Sequence, residues 1–288
     1  MATIRDLRIK IKTIKNIQQI TKAMKMVAVA RLKRAQARLE SARPYARKIA
    51  EVTLDLASLT AWSYNPLLRP HQHLRRVLVL VFTGDRGLAG GFHQKIADGA
   101  VQFGLKFKDE AEVSYYMLGY KGFKRFQSRN IPLFKRYEGL MAGVPYTEVQ
   151  ELAKELSVLY IAEKFDQIYL YYPKFYSTMS QRPKAFQLLP IDPSKARHKE
   201  EHGLFIFEPD QEDILDSILP RYIESEIYRA FLETEAGELG ARMTAMSSAT
   251  DNAGDIIEHY QLIMHRLRQS QITKEISEIV GGAEALKT

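Results

Sequence analysis

Residues Ile256–Leu286 read IIEHYQLIMHRLRQSQITKEISEIVGGAEAL. Two apolar runs stand out in them. Ile256, Tyr260, Ile263 and Leu267 form the first; Ile272, Ile276, Ile279, Ala283 and Leu286 form the second, at spacings of 4, 3, 4 and 3. That is the stripe of a helix packed against other helices. The last proline of the chain is Pro220, and Asp210 after Pro209, with Asp213 three residues on, is a helix start signal. A helix from there to the end, about 75 residues, spans on the order of 110 Å, several times the width of a small domain. Something has to lie along it.

The companion is at the other end of the chain. Ile4, Leu7, Ile11 and Ile14 are followed by Gln18 and Thr21, and then by Ala28, Leu32, Ala35, Leu39, Ala42, Ala46, Ile49 and Leu56. This is a heptad register, with polar residues at its centre that set pairing at some cost in stability. Pro44 inside it is expected to bend or loosen the helix locally. Antiparallel pairing matches Ile4–Leu59 with Asp210–His265 and leaves Arg266–Leu286 without an intramolecular partner. An apolar helix bare to water is marginal and adhesive, so the overhang reads as a rod for docking other subunits.

Composition narrows the rest. The chain has 288 residues, 45% of them hydrophobic, and no cysteine, which excludes disulfides, thiolate catalysis and thiol redox control. No run of about 18 apolar residues encodes a transmembrane helix. The charged N-terminus lacks an apolar signal region, so a cytoplasmic location is expected. Of the 42 Lys/Arg, 14 fall in residues 1–50 beside only Asp6 and Glu40; the remainder holds 28 against 32 acidic residues. That basic excess reads either as a solvated helix face or as a surface steering an acidic partner. Nucleic acid fits it less well, because the basic residues alternate with Ile, Met and Ala rather than with aromatics.

Between the two helices the pattern changes. Arg76–Phe82 (RVLVLVF) is a continuous apolar run suited to a strand buried on both faces. Strands are also expected at Val113–Gly119, Ile168–Tyr172 and Pro183–Pro190, with an edge at Leu204–Phe207. Helices are expected at Phe92–Phe107, Tyr120–Gln127 and Thr147–Lys164. The fold class is therefore α/β: a Rossmann-like domain with a largely parallel sheet (residues 75–208) inserted between coiled-coil helices 1–60 and 210–288.

Three local motifs weigh little. Gly84-Asp-Arg-Gly-Leu-Ala-Gly-Gly91 follows a strand and opens a helix, but it matches neither the P-loop nor GxGxxG; it reads as a tight turn rather than a phosphate cradle. His198-Lys-Glu-Glu-His202 fits H-x-x-E-H formally but lies in a charged loop without a third ligand. Ala236–Gly254 is dense in Ala, Gly and Ser, the mark of close helix contact or of a compliant helix. No cofactor, metal or catalytic residue is expected.

Several blocks resemble the gamma subunits of F-type ATP synthases: Ile14-Lys-Asn-Ile-Gln-Gln-Ile-Thr-Lys-Ala-Met-Lys-Met-Val-Ala28, Ala42-Arg-Pro-Tyr45, Asp85–Gly91, Ala241–Met246, Ala249–Ala253 and Arg268–Val280. The blocks run in family order over essentially the whole chain. The resemblance implies a rotor whose coiled coil is the central stalk and whose α/β domain meets the epsilon subunit and the c ring. Catalysis then belongs to the beta subunits of the alpha/beta head. It further implies that Arg268, Gln269 and Thr273 meet beta loops and that Lys22 and Met24 face an acidic lever of beta, with Lys25 beside them. Ile272, Ile276, Ile279 and Leu286 would line an apolar bearing. The implied location is the cytoplasmic face of the cell inner membrane, reached through the complex. Phe92-His93 departs from the Leu-Asn of that family's turn. A basic nucleic-acid-binding coiled coil and a nucleotide-binding α/β enzyme are the alternatives.

Overall fold

The computed structural model describes residues 3–59, 65–137, 139, 143–195 and 210–285. The Leu204–Phe207 edge, the His198–His202 motif and Leu286 lie outside them. In chain order the elements are α1 (Ile4–Leu59), β1 (Arg76–Phe82), α2 (Phe92–Gly104), β2 (Glu112–Leu118), α3 (Tyr120–Gln127), β3 (Lys135–Tyr137), α4 (Tyr146–Ile161), β4 (Gln167–Phe175), β5 (Gln181–Leu189) and α5 (Gln211–Ala285). The chain forms two compact units, Met1–Ala28 with Met243–Thr288, and Val29–Arg242.

The two long helices start where local chemistry tells them to. Asp210 Oδ1 accepts the Glu212 and Asp213 amides at 3.0 and 3.2 Å, satisfying donors that the first turn of α5 leaves orphaned. At α1 the Thr3 and Asp6 side chains bond each other's amides at 3.2 and 3.0 Å, a reciprocal capping box. Both helices run unbroken through their prolines, Pro44 and Pro220. Pro44 does not break α1, and buried Leu39 and Ala46 hold the flanking turns.

In the first unit the N-terminal part of α1 pairs antiparallel with α5. Thr21 Oγ1 meets Thr250 Oγ1 at 2.8 Å, Lys25 Nζ donates to Ser247 Oγ at 2.9 Å, and Lys10 Nζ lies 5.8 Å from the Tyr260 ring centre. Leu7, Ile11, Thr21 and Ala28 are buried on one side; Met246, Ala253 and Ile257 on the other. The register on α1 is the one its heptads dictate. On α5 one position differs: Ile257 is buried, whereas Ile256 is 44% exposed, and Tyr260 and Leu267 keep their places. The spacing of Thr250, Ala253, Ile257, Tyr260, Met264 and Leu267 keeps the heptad through the polar Thr21–Thr250 layer, and Ile256 does not.

The larger unit is built on a sheet ordered β3-β2-β1-β4-β5, parallel except for β5, which runs antiparallel to β4. The apolar run of β1 is buried on both faces because each face has its own helices. Leu78, Leu80 and Phe82 enter a core with α4, the end of α1 and Leu215–Phe231 of α5. Val77, Val79 and Val81 pack with α2 and α3. Within this unit α1 and α5 again run antiparallel, joined by an Arg38–Glu235 ion pair at 2.6 Å and by Gln211 Nε2 donating to the Leu56 carbonyl at 3.4 Å. All these partners fall within about one helical turn of the pairing read from sequence.

Two glycines of α5 show what its small residues are for. A Cβ at Gly240 would sit 3.0 Å from the Thr178 carbonyl, and one at Gly237 would sit 3.2 Å from the Phe92 ring. They admit the β4–β5 hairpin and α2 against the helix, while a Cβ at Gly254 would sit 3.3 Å from the Gln18 amide of α1. His71 anchors the segment before β1: it stacks on Tyr160 at 4.5 Å between ring centres and bonds Asp166 at 3.1 Å. Asp166 also accepts the Arg75 and Arg76 amides at the entry to β1, and these bonds hold its carboxyl below the usual range despite burial.

Candidate functional site

Past Leu267 the first unit has no further cover. Every residue from Arg268 to Gly282 is exposed, including Ile272 (46%), Ile276 (56%) and Ile279 (71%). Counted by threes and fours along the helix, Leu262, Gln269, Ile272, Ile276 and Ile279 share one line. That line is offset by one to two residues from the seam of Ala253, Ile257, Tyr260, Met264 and Leu267, so the bare isoleucines do not simply prolong the intramolecular pairing. They face elsewhere. Gln269 lies on this line; Arg268 precedes Ile272 by one turn, and Thr273 precedes Ile276 by three residues. Within this stretch the polar side chains engage only near neighbours, as in the Lys274–Glu278 pair at 3.6 Å and the Ser277 hydroxyl donating to the Thr273 carbonyl at 2.9 Å.

The α1 side of the same unit also carries an exposed apolar set. Met24 is 37% exposed and Lys22 is exposed, and beside them stand Ile9 (57%), Ile17 (48%), Ile20 (58%), Met26 (65%) and Val27 (52%). The heptad reading assigned α1 a single stripe and passed over these residues. The signal was present: apolar residues at positions 17, 20, 24 and 27 repeat outside the buried seam. The Lys25 ammonium spans the helix pair, donating to Ser247 Oγ. The α1 pair Lys22 and Met24 and the α5 trio Arg268, Gln269 and Thr273 are not brought together. Lys22 stands opposite the Thr250 level of α5, about 28 Å along the axis from Arg268.

In the larger unit, the turn after β1 occupies the place where open α/β sheets bind ligands: the strand ends beside the switch point between β1 and β4. Here side chains of the chain's own α5 occupy it. A Cβ at Gly84 would meet Glu238 Oε2 at 2.4 Å. Glu238 is paired with Arg242, which donates through Nε to the Gly87 carbonyl at 3.1 Å and through its terminal nitrogen to the Arg86 carbonyl at 3.3 Å. His93 closes the turn from inside. The Gly84 amide donates to His93 Nδ1 at 3.2 Å, so Nε2 carries the proton and donates to the Arg86 carbonyl at 2.9 Å. Burial depresses the His93 pKa to about 4, with Arg242 and Lys121 adding to the effect. The ring is neutral and structural. Phe92 packs at Gly237, so the Phe92-His93 pair clips the turn to α2 and α5. Sequence gave no sign of this, since Glu238 and Arg242 lie some 150 residues away.

The turn therefore points carbonyls at cations and uses its Gly84 amide internally, the reverse of a phosphate cradle. Among the described residues no helix is long and apolar enough to cross a membrane.

Residues 3–286 match the family model described as ATP synthase. It is 41% identical over 287 residues to the ATP synthase gamma chain of Desulforamulus reducens, with all of both chains covered. The corresponding chain of Geobacter metallireducens is 42% identical over 288 residues, again with full coverage of both. The chain belongs to the ATP synthase gamma chain family. Among solved structures, it is similar to a chain of the Tetrahymena thermophila mitochondrial ATP synthase central stalk and c ring. That match has 27% identity and a TM-score of 0.58, covering 80% of this chain and 99% of that one. A chain of the Euglena gracilis mitochondrial ATP synthase has the same fold at 18% identity, with a TM-score of 0.69 over 98% of this chain and 94% of that one. These relatives are one chain of a larger assembly, and they lend no support to a nucleic-acid-binding protein or a nucleotide enzyme.

Proposed function

We propose that this chain is the central-stalk rotor of an F-type ATP synthase and that it couples ion-driven rotation of a c ring to conformational change at catalytic beta subunits. One observation carries the reading beyond family membership: the apolar line through Ile272, Ile276 and Ile279 is bare from Arg268 to Gly282. A helix of that composition is stable when something surrounds it. In this reading the sleeve is the ring of alternating alpha and beta subunits, and the isoleucines with Leu286 form its bearing. An apolar sleeve grips without direction and so lets the rod turn. Arg268, Gln269 and Thr273 offer directional hydrogen bonds that form with beta only at certain angles. Lys22 and Met24, with the exposed Ile20 and Val27 alongside, form a second contact facing an acidic segment of beta.

The chain itself is then non-catalytic. Residues 1–60 and 210–288 act as the shaft, and residues 75–208 engage the epsilon subunit and the c ring. The assembly sits at the cytoplasmic face of the inner membrane, and the chain is held there through its partners.

The test is reconstitution of the complex with Arg268→Ala, Gln269→Ala or a chain ending at Gly282. The polar substitutions should leave assembly intact and slow ATP hydrolysis about tenfold, the effect of losing a charge-assisted bond of roughly 1.5–3 kcal/mol at one rotor angle. The truncation should turn over at near-normal rate and assemble less well. Silent polar variants together with an inactive truncation would reverse the assignment.

A further inference from the structure

The larger unit holds a cleft of about 830 Å³ between α1, the turn after β1 and α5. Its walls carry five guanidinium groups, those of Arg31, Arg34, Arg38, Arg86 and Arg242, against three carboxylates. Two of the five are neutralised where they stand: Arg38 pairs with Glu235 at 2.6 Å and Arg242 with Glu238. The third acid, Asp85, accepts the Tyr120 amide at 2.8 Å. Arg31 and Arg34, one turn apart on α1, and Arg86 on the turn have no acidic partner among the described residues, and all three are exposed. Three cations without an acidic partner among the described residues, on the wall of one concavity, repel one another and concentrate a positive field in it.

We propose that this cleft is a binding site for a polyphosphate group, held by Arg31, Arg34 and Arg86. The proposal is independent of the rotor reading. A single carboxylate would leave the excess charge unbalanced, whereas a chain of phosphates presents several anionic oxygens to several planar donors. The size is right, since small-molecule sites run from about 300 to 1,000 Å³. The lining also says what is not recognised. Its apolar part comes from Ala37 and Leu239, and among the described residues no aromatic ring lines the cleft, so a nucleobase finds no stacking surface. Recognition rests on the phosphates and is blind to the base. The site is made of side chains and does not use the backbone of the Gly84–Gly91 turn, whose Arg86 and Gly87 carbonyls are already engaged by His93 and Arg242.

The experiment is isothermal titration of the full chain with inorganic tripolyphosphate, ATP and GTP. Binding should saturate at one equivalent, with the three ligands agreeing within about threefold, and should weaken steeply with added salt. The Arg31→Gln/Arg34→Gln/Arg86→Gln variant should lose at least about tenfold in affinity. Arg8→Gln/Lys12→Gln/Lys15→Gln, which removes the same charge from exposed positions of the other unit, should bind as the parent does. Circular dichroism melts establish that both variants are folded, and single Arg34→Gln serves if the triple variant is not. Equal loss in both triple variants would mean diffuse attraction to a basic chain and would overturn the site. So would a preference for ATP over GTP and tripolyphosphate, or tighter capture of an acidic peptide such as hexaglutamate than of tripolyphosphate. Absence of saturable binding would overturn it as well.

Discussion

Helix α5 contains two kinds of helix in one unbroken run. Between Tyr222 and Leu239 no residue is exposed: Ile223, Ile227, Ala230 and Thr234 are fully buried, and even Glu226 and Glu233 are below 6% exposure. Between Arg268 and Gly282 no residue is covered. The first stretch is held by tertiary burial, which is strong enough to keep carboxylates in the interior. Glu233 accepts the Phe175 amide at 3.0 Å, and Glu226 pairs with Arg229; burial raises the pKa of both acids. The second stretch has only its backbone ladder and local pairs such as Lys274–Glu278. Burial area, and not helix propensity, separates them. A stretch built like the second is finished by a partner.

That contrast is open to attack by mutation. Phe231, 3% exposed and edge-on to Phe82 at 5.0 Å, should cost about 3–5 kcal/mol when changed to Ala, read as a lower urea midpoint of the isolated chain. A loss under about 1 kcal/mol would mean that the covered stretch does not carry the fold.

Acid should act next most strongly, through His93 in the turn that α5 covers. His93 is neutral beside Glu238 and Arg242, with a pKa near 4 against 6.5 for a free side chain. The unfolded chain therefore takes up a proton that the folded chain refuses. Its contribution is undiminished above about pH 6.5, declines as pH falls toward 4, and is level below. The full swing is at most about 3 kcal/mol. His93→Gln, which keeps a donor and an acceptor, should flatten this part of the stability-against-pH curve. An unchanged curve would show that other groups set it.

How much of this was legible follows from where the partners lie. The α1 seam was readable because heptads are local, and β1 because RVLVLVF has room for no other reading. Asp210 was readable as a cap from its own neighbours. The α5 seam was misread at Ile256 because Ile256 and Ile257 both fit a 3–4 spacing to Tyr260 or its neighbours; only the opposing Thr21 layer selects Ile257. Strand β3 is three residues, KRY, with no apolar pattern, and exists by pairing with Tyr116–Leu118. His93 gave no signal because its environment comes from α5, far along the chain. The exposed Ile17, Ile20 and Val27 were visible as letters, but a seam explanation already existed for that helix.

The cap gives a smaller effect. Asp210→Ala should cost about 1 kcal/mol by releasing the Glu212 and Asp213 amides, seen as a modest drop in melting temperature; a change several times larger would mean that Asp210 does more than cap. Smallest of all, Ile276→Ala should change the stability of the isolated chain by no more than about 0.5 kcal/mol, because its side chain is already in water. A loss comparable to that of Phe231→Ala would erase the distinction between the two stretches.

Amide hydrogen exchange, residue by residue, tests the distinction most directly. In the isolated chain the amides of Arg268–Gly282 should exchange orders of magnitude faster than those of Tyr222–Leu239, since local opening there exposes no buried surface. In the reconstituted complex the Arg268–Gly282 amides should become protected while those of Tyr222–Leu239 change little. Strong protection of Arg268–Gly282 in the isolated chain, or none gained on assembly, would contradict the account.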